Sequence, residues 1–160
     1  MTTDPDRVAR IVVIEDNRAD VFLLERALKK QGLQYILTHL IDGKSALDYI
    51  HRRGPYANAE IPDLILTDLS LAKYSGEDIF REARAEKHLD GVPVCAWSSS
   101  QSPQDQLRLT ELGVARFITK PASLDRFMEI GDVIKEILGQ PPDCGQARGT
   151  QRAGTNRIEC

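Results

Sequence analysis

Five short apolar runs recur along the chain, with polar segments of helical period between them. RIVVIE (10–15), YILTHLI (35–41), DLILTD (63–68), VPVCAWS (92–98) and VARFIT (114–119) have the length of strands, and their near-continuous apolar character suits strands buried on both faces. The intervening segments carry helix starts and stops. Asn17 stands as an N-cap with Asp20 in the first turn, Val21, Leu24 and Leu28 form the buried stripe, and Gly32 ends it. Asp42-Gly43 precedes Ala46, Leu47 and Ile50. Ser75 with Asp78 opens a helix carrying Ile79, Phe80 and Ala83. Ser102-Pro103 with Asp105 opens another, closed by Gly113. Ser123 opens the last, a single helix with Phe127, Ile130, Ile134 and Ile137 on one side, closed by Gly139 and Pro141-Pro142. Strands alternating with helices in this way predict the α/β class: a doubly wound, five-stranded parallel sheet covered on both faces.

In such sheets ligands sit beyond the carboxyl ends of the strands, where the strand order reverses. The residues predicted at those ends are therefore the candidates for chemistry. Strand one ends in Glu15-Asp16, strand three in Asp68, strand four in Ser98-Ser99-Ser100 and strand five in Thr119-Lys120-Pro121. Three carboxylates gathered at one place repel each other unless a cation intervenes. Oxygen ligands select a hard ion, and a pocket with room for water and phosphate oxygens favours Mg²⁺. With Mg²⁺ and Lys120 to neutralise the phosphoryl oxygens, one carboxylate is left to attack phosphorus.

Composition narrows the alternatives. A length of 160 residues fits one domain, and a net charge of −3 argues against a nucleic-acid-coating protein. No apolar run is long enough to span a bilayer, and MTTDPDRVAR has no signal-peptide core, so a cytoplasmic protein with no membrane partner is expected. The three cysteines, Cys95, Cys144 and Cys160, show no metal-ligand spacing and suggest no structural disulfide. His39, His51 and His88 are scattered and read as ordinary surface or half-buried residues. The expected organisation is a flexible N-terminus at 1–8, one domain at 9–140, and a disordered tail at 141–160, where Ile158 is the lone large apolar residue. The loop HRRGPYANAEIP (51–62) is long for this architecture and reads as either an insert or a partner contact.

The acidic pair, Asp68, Ser98 and Lys120-Pro121, in that order and with Asp68, Ser98 and Lys120 at intervals of 30 and 22 residues, resemble the receiver domains of two-component response regulators. The resemblance covers about residues 9 to 139 and implies the flavodoxin-like (βα)5 receiver fold. It also implies that Asp68 accepts phosphate from a sensor histidine kinase, in a phosphorelay protein that is not an enzyme. By the same resemblance Asp16 and Asp68 bind Mg²⁺ directly, Glu15 acts through water and the backbone carbonyl of Ser70 completes the metal site. Ser98 bonds the phosphoryl group, Lys120 pairs with it, and Ser98 with Phe117 forms the switch. Lys120-Pro121 is expected cis, and Gly76 marks the turn into the third helix.

IEDNRADVFLLERAL, HRRGPYANAEIPDLILTDLSL and the triple hydroxyl are similar, more narrowly, to the stand-alone receivers that serve bacterial phytochrome kinases. That likeness implies a bacteriophytochrome as the kinase and a homodimer through the fourth helix, fifth strand and fifth helix. Eight apolar residues around the last helix, Leu124 to Leu138, are more than one buried stripe would use and point the same way.

Four departures from the family pattern matter. Ser98 replaces the commoner threonine and lacks its methyl, so looser coupling of phosphate to surface is expected. Ala72 stands where a proline is usual, which predicts a more mobile acceptor loop. Phe117 has no hydroxyl, so its switching would be steric. Trp97 stands where a smaller aliphatic is usual, and its bulk should crowd the neighbouring helix or find an interface.

Other functions use some of the same residue types. A haloacid-dehalogenase-like phosphohydrolase needs an acid two residues after its nucleophile, and Ser70 stands there. A flavodoxin-like cofactor binder wants a phosphate cradle after strand one, where EDNRAD would repel it. A pseudo-receiver serving only as a docking module is disfavoured by the full residue set.

Overall fold

The structure, a computed structural model, describes residues 6–99 and 102–139. The expected tail at 141–160, most of the expected N-terminal arm, and Ser100 lie outside the described residues.

Five strands form one parallel sheet: β1 (Ala9–Ile14), β2 (Tyr35–Leu40), β3 (Leu64–Asp68), β4 (Val94–Ser98) and β5 (Arg116–Thr119). Their order is β2-β1-β3-β4-β5, so the order reverses between β1 and β3. The β3 and β4 residues are buried throughout, as central strands covered on both sides require. Among the described residues six helices cover the faces: α1 (Arg18–Lys30), α2 (Gly43–Ile50), α3 (Gly76–Ala85), α4 (Pro103–Glu111), α5 (Leu124–Met128) and α6 (Ile130–Ile137). Alternate residues of the central strands point to opposite faces. Ile11, Val13, Leu66 and Trp97 join Leu24, Leu28, Phe127 and Ile134 in one core; Val12, Ile14, Ile65 and Val94 join Ile50, Ile79 and Phe80 in the other.

Local sequence explains where the helices start. Asn17, Asp42, Ser75, Ser102 and Ser123 each accept a backbone N–H of the first turn through the side chain. Ser75 and Asp78 form a reciprocal capping box. Gly76, the next residue, is required by close approach: a Cβ there would lie 2.2 Å from the carbonyl oxygen of Asp68. The start of α3 is thus pressed onto the backbone that follows β3.

The single last helix read from the sequence is divided. Glu129 donates its N–H to Arg126 O at 3.1 Å, a tightened turn between α5 and α6. The division sets Gly131 against α1, where a Cβ would stand 2.5 Å from the Ala27 carbonyl oxygen. Close packing also revises the apolar girth of this segment. Phe127, Ile130 and Ile134 are buried, and Met128, Val133, Ile137 and Leu138 pack partly buried against the same core. Leu124 alone of the eight is strongly exposed, at 55 %.

Trp97 is completely buried and meets no interface; it crowds Phe127 of α5 edge-to-face at 5.6 Å between centroids. The implied cis bond at Lys120-Pro121 is corrected too. No cis peptide occurs among the described residues, and this bond takes the trans form that X-Pro bonds ordinarily prefer. The loop at 51–62 contains a single 3-10 turn (Gly54–Tyr56), packs Tyr56 on Tyr49, and is tied back to β1 by an Arg10–Glu60 ion pair.

Candidate functional site

The buried polar residues among those described are Glu15, Thr67, Asp68 and Ser98. Three of the four are candidates from the strand ends, and all lie at or just past the carboxyl ends of central strands. A polar group is kept in a dry interior only with partners. Those partners define the site.

Lys120, one residue past β5, is the hub. Its Nζ donates to Glu15 Oε1, to Asp20 Oδ2 at 3.0 Å and to Asp68 Oδ2 at 3.2 Å, and the side chain is only 9 % exposed. Its backbone N–H donates to Ser98 O at 2.7 Å, fixing the end of β5 to the end of β4. Asp68 Oδ1 accepts the Ser70 N–H at 3.0 Å, which holds the carboxylate at the mouth of the strand. Glu15, with no exposed surface, has its remaining capacity filled by protein: Oε1 also accepts the Trp97 indole N–H at 2.7 Å, and Oε2 accepts the Asn17 N–H at 3.1 Å. The His39 ring, half-buried on β2 as expected, contacts the Glu15 carbonyl oxygen through Nε2 at 2.7 Å and so braces the site.

Asp16 is exposed, yet one oxygen each from Glu15, Asp16 and Asp68 lie within 4.8 Å of one another. One ammonium therefore serves three carboxylates, and a fourth stands nearby, an excess of negative charge that fits a hard divalent cation. Both charged partners respond. Burial pushes the Glu15 carboxyl up from 4.5 to about 7; the bond to Lys120 opposes this and Asp68 adds to it. Burial pulls Lys120 down, but its bonds to Glu15 and Asp20 and the charge of Asp68 outweigh it and hold the ammonium above its ordinary value.

Of the residues singled out in the sequence, Glu15, Asp16, Asp68 and Lys120 converge, and Ser98 and Ser70 adjoin them through backbone. Phe117 stands apart. Half-buried on β5, it lines a surface groove of about 250 Å³ with Arg116, Pro121, Arg126 and Val133. Two partners were not foreseen. Asp20 was read as a first-turn acid and not placed among the site residues, although it lies one helical turn past Asp16. Trp97 was noted for bulk and not for its donor.

The family model described as "Response regulator receiver domain" matches residues 11–131. The chain belongs to this family. Among relatives, the response regulator Rcp1 of Synechocystis is 32 % identical over 137 residues, covering 86 % of this chain and 88 % of that protein. The phosphorylated cyanobacterial phytochrome response regulator RcpA superposes with a TM-score of 0.76 at 34 % identity, over 82 % of this chain and 94 % of that one. The Mn²⁺-bound form of Rcp1 gives 0.73 at 30 %, over 80 % and 92 % respectively. This receiver domain is thus similar to a phytochrome response regulator and to a response regulator solved with a divalent ion. No helix among the described residues is long and apolar enough to cross a membrane.

A pH effect follows from Glu15. Between 4.5 and about 7 the unfolded chain ionises this group while the folded chain keeps it protonated, so its contribution to stability is lost as pH rises through that window. Glu15→Gln should accordingly stabilise the metal-free protein by about 2 kcal/mol near pH 8, with the gain shrinking as pH falls toward about 5. Urea unfolding with a chelator present measures it; a gain independent of pH, or a loss, would contradict the assignment.

Proposed function

We propose that this response regulator receives a phosphoryl group on Asp68 from a sensor histidine kinase, of bacteriophytochrome type, and passes the change to its α4–β5–α5 face. The observation that carries this reading is the position of Asp68: one oxygen fixed by the Ser70 N–H, the other 3.2 Å from Lys120, at the switch point of the sheet. An Asp68 oxygen attacks phosphorus, the P–O bond forms as the donor's P–N bond breaks, and the imidazole leaves with the electron pair. Glu15, Asp16 and Asp68, together with the Ser70 carbonyl, would hold Mg²⁺, which supplies positive charge for the phosphoryl oxygens. Lys120 exchanges its contact with Asp68 for a phosphoryl oxygen, and Ser98 donates its hydroxyl to another. Ser70 stands where a phosphohydrolase of the haloacid-dehalogenase kind keeps its general acid, and a hydroxyl does not serve that role at neutral pH. The reading is of a signalling protein and not an enzyme.

The readout face is built to move. Helix α4 buries Leu109 alone, so a shift of this helix disturbs little apolar area. Arg108 ties it to α3 through Glu77 at 2.9 Å, a half-exposed pair of small energetic weight. Inward motion of Ser98 vacates space that Phe117 enters, which changes the groove beside β5. Leu107 on α4 and Leu124 on α5 are 63 % and 55 % exposed, apolar surface on this face suited to a second copy of the chain.

Acetyl phosphate with Mg²⁺ should add one phosphoryl group to the wild type and none to Asp68→Asn, read by intact mass. A phosphorylated bacteriophytochrome kinase should donate to the same residue. Gain of phosphate by the variant would overturn the acceptor assignment, and failure of transfer from such a kinase would overturn the partner. Light scattering should find a dimer that Leu124→Glu dissociates; a wild-type monomer at high concentration, with and without phosphorylation, would defeat the dimer.

A further inference from the structure

The largest side chain buried at the site has no part in the chemistry so far. Trp97 lies in β4 beside Asp68 of β3 and immediately before Ser98. Packing alone would be served there by an aliphatic residue or a phenylalanine, neither of which carries a donor. The indole instead touches both opposite charges of the site. Its N–H donates to Glu15 Oε1 at 2.7 Å, and its ring centroid lies 5.0 Å from Lys120 Nζ, within cation–π range. The edge-to-face contact with Phe127 fixes the plane of the ring.

Phosphoryl transfer asks Lys120 to change partners. When its ammonium gives up Asp68 for a phosphoryl oxygen, its bond to Glu15 Oε1 is pulled out of its present geometry. That carboxylate is buried, so its position depends on the donors the protein supplies. Two donors remain to it: the Asn17 N–H on Oε2 and the Trp97 N–H on Oε1.

We infer that Trp97 is a positioning residue for phosphoryl transfer, its indole N–H holding Glu15 in place and its ring face keeping contact with the Lys120 ammonium while that ammonium moves from carboxylate to phosphoryl oxygen. The inference rests on Asp68 being the acceptor. Trp97 acts through Glu15 and Lys120 and does not touch the reacting atoms.

Trp97→Phe keeps an aromatic ring against Phe127 and removes the donor. With acetyl phosphate and Mg²⁺, its phosphorylation rate should fall about tenfold, the worth of one charge-assisted hydrogen bond. In a Glu15→Gln background, where the bond is no longer charge-assisted, the same substitution should cost about twofold or less. Trp97 is also the chain's single tryptophan, so its emission reports this contact directly. Emission of the wild type should change on saturation with Mg²⁺ and beryllium fluoride, a phosphoryl mimic, and a Lys120→Gln variant should lose that response.

Wild-type rates in Trp97→Phe, or equal losses in both backgrounds, would overturn the inference and leave the acceptor assignment standing. A wild type that gains no phosphoryl group would overturn both. Where a variant fails to fold or reacts too slowly to time, the wild-type emission decides: no change on saturation overturns the role.

Discussion

The sharing of one buried ammonium among three carboxylates from different parts of the chain is what the rest of the structure accommodates. Glu15 follows β1, Asp20 belongs to α1, Asp68 ends β3 and Lys120 follows β5, and they meet only because the parallel sheet aligns its strand ends. A buried charge cluster of this kind contributes little to stability in itself, since desolvation offsets most of the attraction. In the proposed reading its value is functional. A site short of positive charge favours a divalent cation and keeps Lys120 exchangeable between partners of similar strength.

Rigidity and looseness are distributed around that cluster in a way that suits a switch. The Asp68 side is held firmly: Gly76 lets α3 press on the Asp68 carbonyl, the Ser75–Asp78 box fixes the helix start, and Ser70 restrains the carboxylate. Tyr74 sits so close over Gly43 that a Cβ there would fall 2.1 Å from its ring, which ties the acceptor loop to α2 even though Ala72 replaces a stiffening proline. The opposite side is held by Leu109 and an exposed ion pair. Under the proposed reading, a perturbation at Asp68 relaxes toward α4, which buries a single residue against the domain.

Most of the fold was legible because two signals agreed. Apolar runs of strand length alternated with capped segments of helical period, and every predicted N-cap from Asn17 to Ser123 makes its bond. The convergence of Glu15, Asp16, Asp68 and Lys120 followed from topology alone, since parallel strands place their carboxyl ends together. What escaped depends on side-chain direction or close packing. Asp20 looks like any acid favoured at a helix start, and only the fold turns it toward Lys120. Trp97 reads as bulk until its N–H is seen to point at Glu15. The division of the last helix at Glu129 and the burial of its apolar girth follow from the approach of Gly131 to Ala27, a contact no period of hydrophobicity records.

The most direct test is calorimetric titration of Mg²⁺ into the metal-free wild type near pH 7, repeated in two buffers of different ionisation enthalpy. Saturable binding with release of protons is the predicted result, because a divalent ion among these carboxylates displaces the proton that burial keeps on Glu15. No saturable binding at millimolar excess in either buffer would contradict the claim that the strand ends form a cation site short of positive charge.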